Sequence, residues 1–169
     1  MKGIVSNATP LIYLAKVGRI GLLRKIFGEV FIPEEVKIEV VDTGKELGER
    51  DSYVIERAIT EGWLRVLGAE MMEIPIKLES GETAVLSLAK RLGLDEVLVD
   101  EISARTAARL LDLTPRGTVF VLLKALQMRE IDLNEFLDLL NQMIKQGFRL
   151  KEEVYVEAVR EARRIATET

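Results

Sequence analysis

The sequence predicts an α/β fold with a mostly parallel sheet and helices on both of its faces. Three observations carry that expectation. The runs Gly3 to Asn7 (GIVSN) and Glu96 to Asp100 (EVLVD) are apolar over their middle residues, as strands buried on both faces are. Strand-like runs alternate with stretches of helical spacing along the chain. Finally, 169 residues with 48% apolar side chains, and no repeat, linker or low-complexity tract, make one domain over residues 1–169. A chain of that length buries roughly 70% of its unfolded surface, so its core needs no staple.

The first strand gives way at Asn7 to Ala8-Thr9-Pro10, where Thr9 is a good N-cap and Pro10 suits a first helical turn. Leu11, Ile12, Leu14 and Ala15 follow at helical spacing. Gly18 punctuates, a second short helix carries Ile20, Leu22, Leu23 and Ile26, and Gly28 ends it. Glu29 to Ile32 is the second strand, stopped by Pro33, and a helix starting at Pro33-Glu34 runs through Val36, Ile38, Val40 and Val41. Residues 42–50 (DTGKELGER) read as a polar exposed loop. Helical spacing returns from Tyr53 to Glu61, Gly62 caps it, and Trp63 to Leu67 alternates as a strand. Residues 68–79 are irregular. Ser80 caps a helix with Ala84, Val85, Leu88 and Ala89 on one face and Gly93 at its end. After the strand at 96–100, Ile102 to Leu111 is helical, and Leu113-Thr114 is a last short strand before Pro115. Val119 to Met128 is helical and very apolar, and reads as core or as a dimer contact. Asp132 and Glu135 make a capping-box pattern ahead of a helix with Phe136, Leu137, Leu139, Leu140, Met143 and Ile144 inside and Gly147 after its end. Lys151 to Ala166 is a final amphipathic helix whose Arg160, Arg163 and Arg164 pair with Glu157 and Glu161.

The chain has neither cysteine nor histidine. Disulfides, thiol catalysis, thiolate zinc, Ser-His-Asp catalysis and histidine-ligated metals are therefore excluded. Its chemistry must come from carboxylates, amides, hydroxyls and amines. A net charge of −4, from 24 basic and 28 acidic side chains, argues against a wholly basic nucleic-acid coat but leaves room for a local basic patch. No secretory signal and no window of about 18 apolar residues is visible, so a cytoplasmic protein without a membrane span is expected.

In sheets of this kind ligands sit outside the carboxyl ends of the strands. Asn7 and Asp100 stand at two such ends, and they meet if the first and fourth strands are neighbours. Glu82, in the first turn of the helix after Ser80-Gly81, points the same way, and Glu39 and Glu101 are further candidates. Oxygen donors without His or Cys suit a hard cation, Mg²⁺ or Mn²⁺. A cluster of such carboxylates repels itself unless a cation is present. Arg105 and Arg109 share a helical face, with Arg116 after Pro115, and together they can meet phosphates. Each residue also has a plainer role. Asp100 suits a helix N-cap, Glu82 complements a helix dipole, and Glu39 suits a solvated face. Glu101 can pair with Arg105 at i,i+4. Thr9 and Thr118 can be caps, the arginines can have Glu partners, and Trp63 can simply pack.

The segments IVSNATPLIYLAKVGRIGLL, FGEVFIPEEVKIEV, SGETAVLSLAKRLG, VLVDEISARTAARLL and PRGTVFVLLKAL, in that order, resemble the PIN-domain family. The resemblance runs from about Gly3 to Ala158 and is best with the archaeal and bacterial branch described as predicted nucleic-acid-binding proteins. It implies a three-layer α/β/α sandwich and a Mg²⁺- or Mn²⁺-dependent ribonuclease, either a VapC-type toxin of a toxin–antitoxin pair or an RNA-processing enzyme. Single-stranded RNA as substrate, an antitoxin-like protein as partner and a homodimer as assembly follow from the same resemblance. By it, Asn7 occupies the position of the first family carboxylate, and Glu39 that of the acidic residue late in the helix after the second strand. Glu82 matches the acidic residue opening the central helix, and Asp100, with Glu101 as a competing register, the one after the fourth strand. Thr9 matches the hydroxyl near the first carboxylate and Thr118 a polar residue near the site. Glu82 and Asp100 are expected as primary ligands, Glu39 as the group orienting water or a second ion, and Asn7 as a neutral ligand or water anchor.

One departure matters. The catalytic form of the family has Asp where this chain has Asn7. A neutral amide coordinates through its oxygen but brings one negative charge fewer. The expectation divides between a metal-dependent ribonuclease and a catalytically weak or silent module that binds RNA or a protein partner. A doubly wound domain for a small phosphorylated ligand is disfavoured, because there is no Gly-rich phosphate loop.

Overall fold

The structure, a computed structural model, describes residues 3–168. Five short strands form one parallel sheet: β1 (Ile4–Ser6), β2 (Val30–Pro33), β3 (Leu64–Leu67), β4 (Glu96–Leu98) and β5 (Thr114–Arg116). Their order is β3-β2-β1-β4-β5. The first and fourth strands are neighbours, with Val5 opposite Val97 and Ser6 opposite Leu98. Ile4, Val5, Val30, Ile32, Val97 and Leu98 are fully buried, as a sheet covered on both faces requires. The chain adds β2 and β3 on one side of β1, and β4 and β5 on the other. That reversal opens a crevice outside the carboxyl ends of β1 and β4.

Between β1 and β2 lie α1 (Ala8–Lys16) and α2 (Gly21–Phe27). Between β2 and β3 lie α3 (Glu34–Lys37), a π-helical stretch Ile38–Thr43, α4 (Gly44–Glu46) and α5 (Asp51–Glu61). Next come α6 (Ser80–Leu92) before β4 and α7 (Ile102–Leu110) before β5. The chain continues with α8 (Thr118–Gln127), α9 (Leu133–Lys145) and α10 (Glu152–Glu168). Right-handed crossovers put α6 and α7 on one face, and α1, α2 and α5 on the other. The packing agrees. Helix α6 contacts β1, β2, β4 and α7, whereas α2 contacts β2 and α8, and α1 contacts α5 and α9. The result is an α/β/α sandwich around one continuous apolar cluster. The stripe on α8 belongs to it: Val121, Leu122 and Ala125 are fully buried. Trp63 packs as well, its indole N–H donating to Glu61 at 3.2 Å.

Local expectations change in several places, each for a physical reason. Helix α1 starts at Ala8, so Asn7 and not Thr9 holds the N-cap position. The Asn7 N–H donates to the Leu98 carbonyl at 2.9 Å, which extends the β1–β4 pairing to the residue just before the helix. Residues 42–50 are largely helical: Val40 and Val41 are buried and carry the helix on through Glu46. Helix α6 is capped by Glu79 rather than Ser80. The Glu79 carboxylate accepts from the Glu82 N–H while the Glu82 carboxylate accepts from the Glu79 N–H at 3.1 Å. That reciprocal pair satisfies two orphan donors where a serine cap satisfies one. Strand β5 runs through Pro115, which an edge strand tolerates because a missing N–H on its open side costs nothing. Asp132 caps α9 by accepting from the Glu135 N–H at 2.8 Å, but the Glu135 carboxylate turns to Arg19, so the box is half formed. Ile144, expected inside, is exposed in the last turn of α9, beyond the buried face of Phe136, Leu139, Leu140 and Met143. Arg160 and Arg164 on α10 do pair with Glu157 and Glu161. Among the described residues no helix is long and apolar enough to cross a membrane.

Candidate functional site

The crevice between β1 and β4 is a cleft of about 500 Å³. The turn from β1 into α1 brings Asn7 and Thr9 to its floor. Asn7 sits where an Asn side chain usually caps a helix, yet its amide makes no capping bond. A Cβ added at Gly81 would stand 3.8 Å from its Oδ1, so the start of α6 passes close over it. Glu39, in the π-helical stretch, forms another wall. Such stretches often serve functional sites, because an extra residue in a turn re-aims a side chain. Glu79 and Glu82 enter from the capping box of α6, and Glu101 and Ser103 from the start of α7.

The electrostatics tie these groups together. Burial pushes the Glu82 carboxyl above its ordinary range, Glu79 and Glu101 push the same way, and the bond from the Glu79 N–H works against them. Desolvation likewise raises Glu39, with help from the charges of Glu79 and Glu82. Carboxylates from separate segments therefore feel one another across the cleft. In this arrangement, among the described residues, no three acidic side chains already stand close enough to hold an ion.

Asp100 is placed differently from its expected role. It does not line the cleft; Glu101 does. Nor does it cap α7, whose N-cap is Glu101. Instead its carboxylate accepts from the Thr118 N–H at 2.9 Å and the Thr118 hydroxyl at 2.7 Å. Burial raises its pKa, while those bonds and Arg105 oppose the rise. Thr118 itself is fully buried and does not reach the cleft.

The arginines are also committed elsewhere. Arg105 donates to the Val99 carbonyl at 3.1 Å rather than to Glu101. Burial lowers its pKa, as do the charges of Arg109 and Arg116. Arg116 pairs with Glu96 at 2.7 Å and lies over the Phe120 ring. It lines a second, smaller cleft with Lys124 and Phe27.

Sequence reasoning missed three polar side chains that line the cleft: Lys77, Glu79 and Ser103. Glu79 had a signal, since Glu79 and Glu82 have capping-box spacing. Lys77 lies in an irregular segment and had none.

A comparison with family models matches residues 3–164 to a model described as a PIN domain. A comparison with curated proteins finds no match. With nearly the whole chain covered by that model, and the parallel sheet and cleft in place, the protein belongs to the PIN-domain family and has a nuclease-type fold.

Proposed function

We propose that this chain is a divalent-metal-dependent ribonuclease of the PIN type, a single functional unit acting in the cytoplasm on single-stranded RNA. The carrying observation is that Glu39, Glu82 and Glu101, from three separate segments, line one cleft with the Asn7 amide. The donor set fits Mg²⁺ or Mn²⁺, because every side-chain donor is oxygen. The raised pKa values of Glu39 and Glu82 fit it too: burial raises them most, neighbouring carboxylates add to the rise, and a cation would offset both. In this reading Glu82 would be a primary ligand, Glu39 and Glu101 would complete the set, and Asn7 would add a neutral oxygen. A bound cation offsets charge on a phosphodiester and lowers the pKa of water. The chain's own groups do the rest. The capping box holds the Glu82 carboxylate at the start of α6, the Thr9 hydroxyl offers a hydrogen bond at the floor, and Lys77 offers a positive charge to a phosphate. A toxin role with an antitoxin-like partner and an RNA-processing role both use this site. Exposed Ile144, Val154 and Val156 on α9 and α10 support self-association as a homodimer.

A second reading has a specific observation behind it. Asn7 leaves the cleft one charge short, and among the described residues no ready-made trio of carboxylates is present. Both favour a catalytically weak or silent module that binds RNA or a protein. Cleavage of single-stranded RNA under Mn²⁺ titration separates the two, using the parent, Glu82→Gln and Asn7→Asp. The ribonuclease reading expects the parent to cut and Glu82→Gln to stop. An inert parent that gains cleavage with Asn7→Asp establishes the silent module instead. A parent that cuts equally with Glu82→Gln refutes the site.

A further inference from the structure

We propose that Asp100 is a positioning residue that latches the end of β4 to the start of α8, and that Glu101 is the residue this turn gives to the cation cleft. The second half rests on the metal-site reading above; the first does not. Both Asp100 oxygens are in use, one on the Thr118 N–H at 2.9 Å and the other on the Thr118 hydroxyl at 2.7 Å. Thr118 has no exposed surface, so water cannot replace that partner. The fit extends to the backbone. A Cβ added at Gly117 would lie 2.9 Å from Asp100 Oδ1 and 3.4 Å from Arg105 Nη1, so the missing side chain is what lets the chain close over the carboxylate. Arg105 braces the same turn through the Val99 carbonyl at 3.1 Å.

The register follows from geometry. Glu101 is extended, with φ −68° and ψ 138°. At such polyproline-like dihedrals successive side chains point in different directions around the chain. Asp100 is tied to the start of α8, and it is Glu101 that lines the cleft without a capping bond to α7.

The two roles predict opposite results in metal-free protein. A ligand carboxylate removed from a repulsive cluster leaves the fold unchanged or more stable, whereas a latch removed weakens it. The test is thermal melting without metal, and Mn²⁺ affinity by calorimetry, for the parent, Asp100→Asn, Asp100→Ala, Thr118→Val and Glu101→Gln. The latch predicts that Thr118→Val melts roughly 2–4 °C lower. It also predicts that Asp100→Ala melts lower still or fails to fold. Glu101→Gln should keep its melting temperature and bind Mn²⁺ at least about tenfold more weakly. Asp100→Asn, which keeps an acceptor for the Thr118 N–H, should stay within about threefold of the parent. Asp100→Ala melting at or above the parent, or Thr118→Val melting with it, overturns the latch. Mn²⁺ affinity falling as far in Asp100→Asn as in Glu101→Gln overturns the assignment of the cleft to Glu101. A parent that binds no Mn²⁺ overturns that assignment together with the metal-site reading, and the melts still decide the latch.

Discussion

Replacing Gly44 with alanine perturbs the helix that carries Glu39, and the structure sets the size of the effect. The added Cβ would stand 1.9 Å from Ser52 Oγ and 3.2 Å from Ser52 Cβ, across the contact between α4 and α5. Ser52 is fully buried and its hydroxyl has no hydrogen-bond partner; it has no open space to turn into, and the contact with its Oγ sets most of the cost. The Cβ–Cβ approach adds a smaller strain, and the helices must part slightly. Overpacking of that kind costs about 1–3 kcal/mol. In a chain of this length that lowers the melting temperature by roughly 3–10 °C, measured by circular dichroism. The partner variant supplies the control. Ser52→Ala removes a buried hydroxyl that bonds to nothing, so alone it should leave stability unchanged or slightly higher. In that background Gly44→Ala should cost less than half as much, because its worst contact is gone. The consequence is functional: a displaced helix carries Glu39 away from Glu79 and Glu82. Equal costs of Gly44→Ala in both backgrounds, or no cost at all, would refute the reasoning.

Three further outcomes are expected. Glu82 has its pKa raised in the folded state, so the stability it contributes is full below its ordinary value of 4.5 and is lost as pH rises through the folded value. Glu82→Gln can still accept from the Glu79 N–H, so without metal it should melt above the parent at pH 7 and with it at or below pH 4; equal melts at pH 7 contradict this. Mn²⁺ at a hundred times its dissociation constant should stabilise the parent by about 2.7 kcal/mol, roughly 5–10 °C, reversibly with EDTA; a melt indifferent to Mn²⁺ contradicts binding to the folded state. Asn7→Asp should tighten Mn²⁺ binding by about tenfold or more while lowering the metal-free melting temperature, because it adds a charge to a cleft already crowded with them; unchanged affinity means position 7 does not touch the ion.

The sheet was legible in the sequence because its strands are short apolar runs between helical stretches. The pairing of β1 with β4 is a condition the sequence leaves open, and the structure meets it. What stayed hidden was decided by contacts distant in sequence. Residues 42–50 have the letters of a loop, yet Val40 and Val41 anchor the helix ahead of them and Gly44 fits under Ser52. Ser80 is locally the better cap, but Glu79 and Glu82 satisfy each other's backbone and win. The acidic pair at 100 and 101 shows the limit most clearly. Both letters suit a ligand, and one residue of register decides which faces the cleft. That register is fixed by Thr118, 18 residues further on.

The central claim is that acidic side chains from the π-helical stretch, α6 and the start of α7 share one cation. Anomalous scattering from crystals soaked in Mn²⁺ tests it most directly. The account predicts a peak in the cleft between Asn7, Glu39, Glu82 and Glu101. Diffraction from well-soaked crystals with no peak there, or with manganese bound only at another surface, would contradict it.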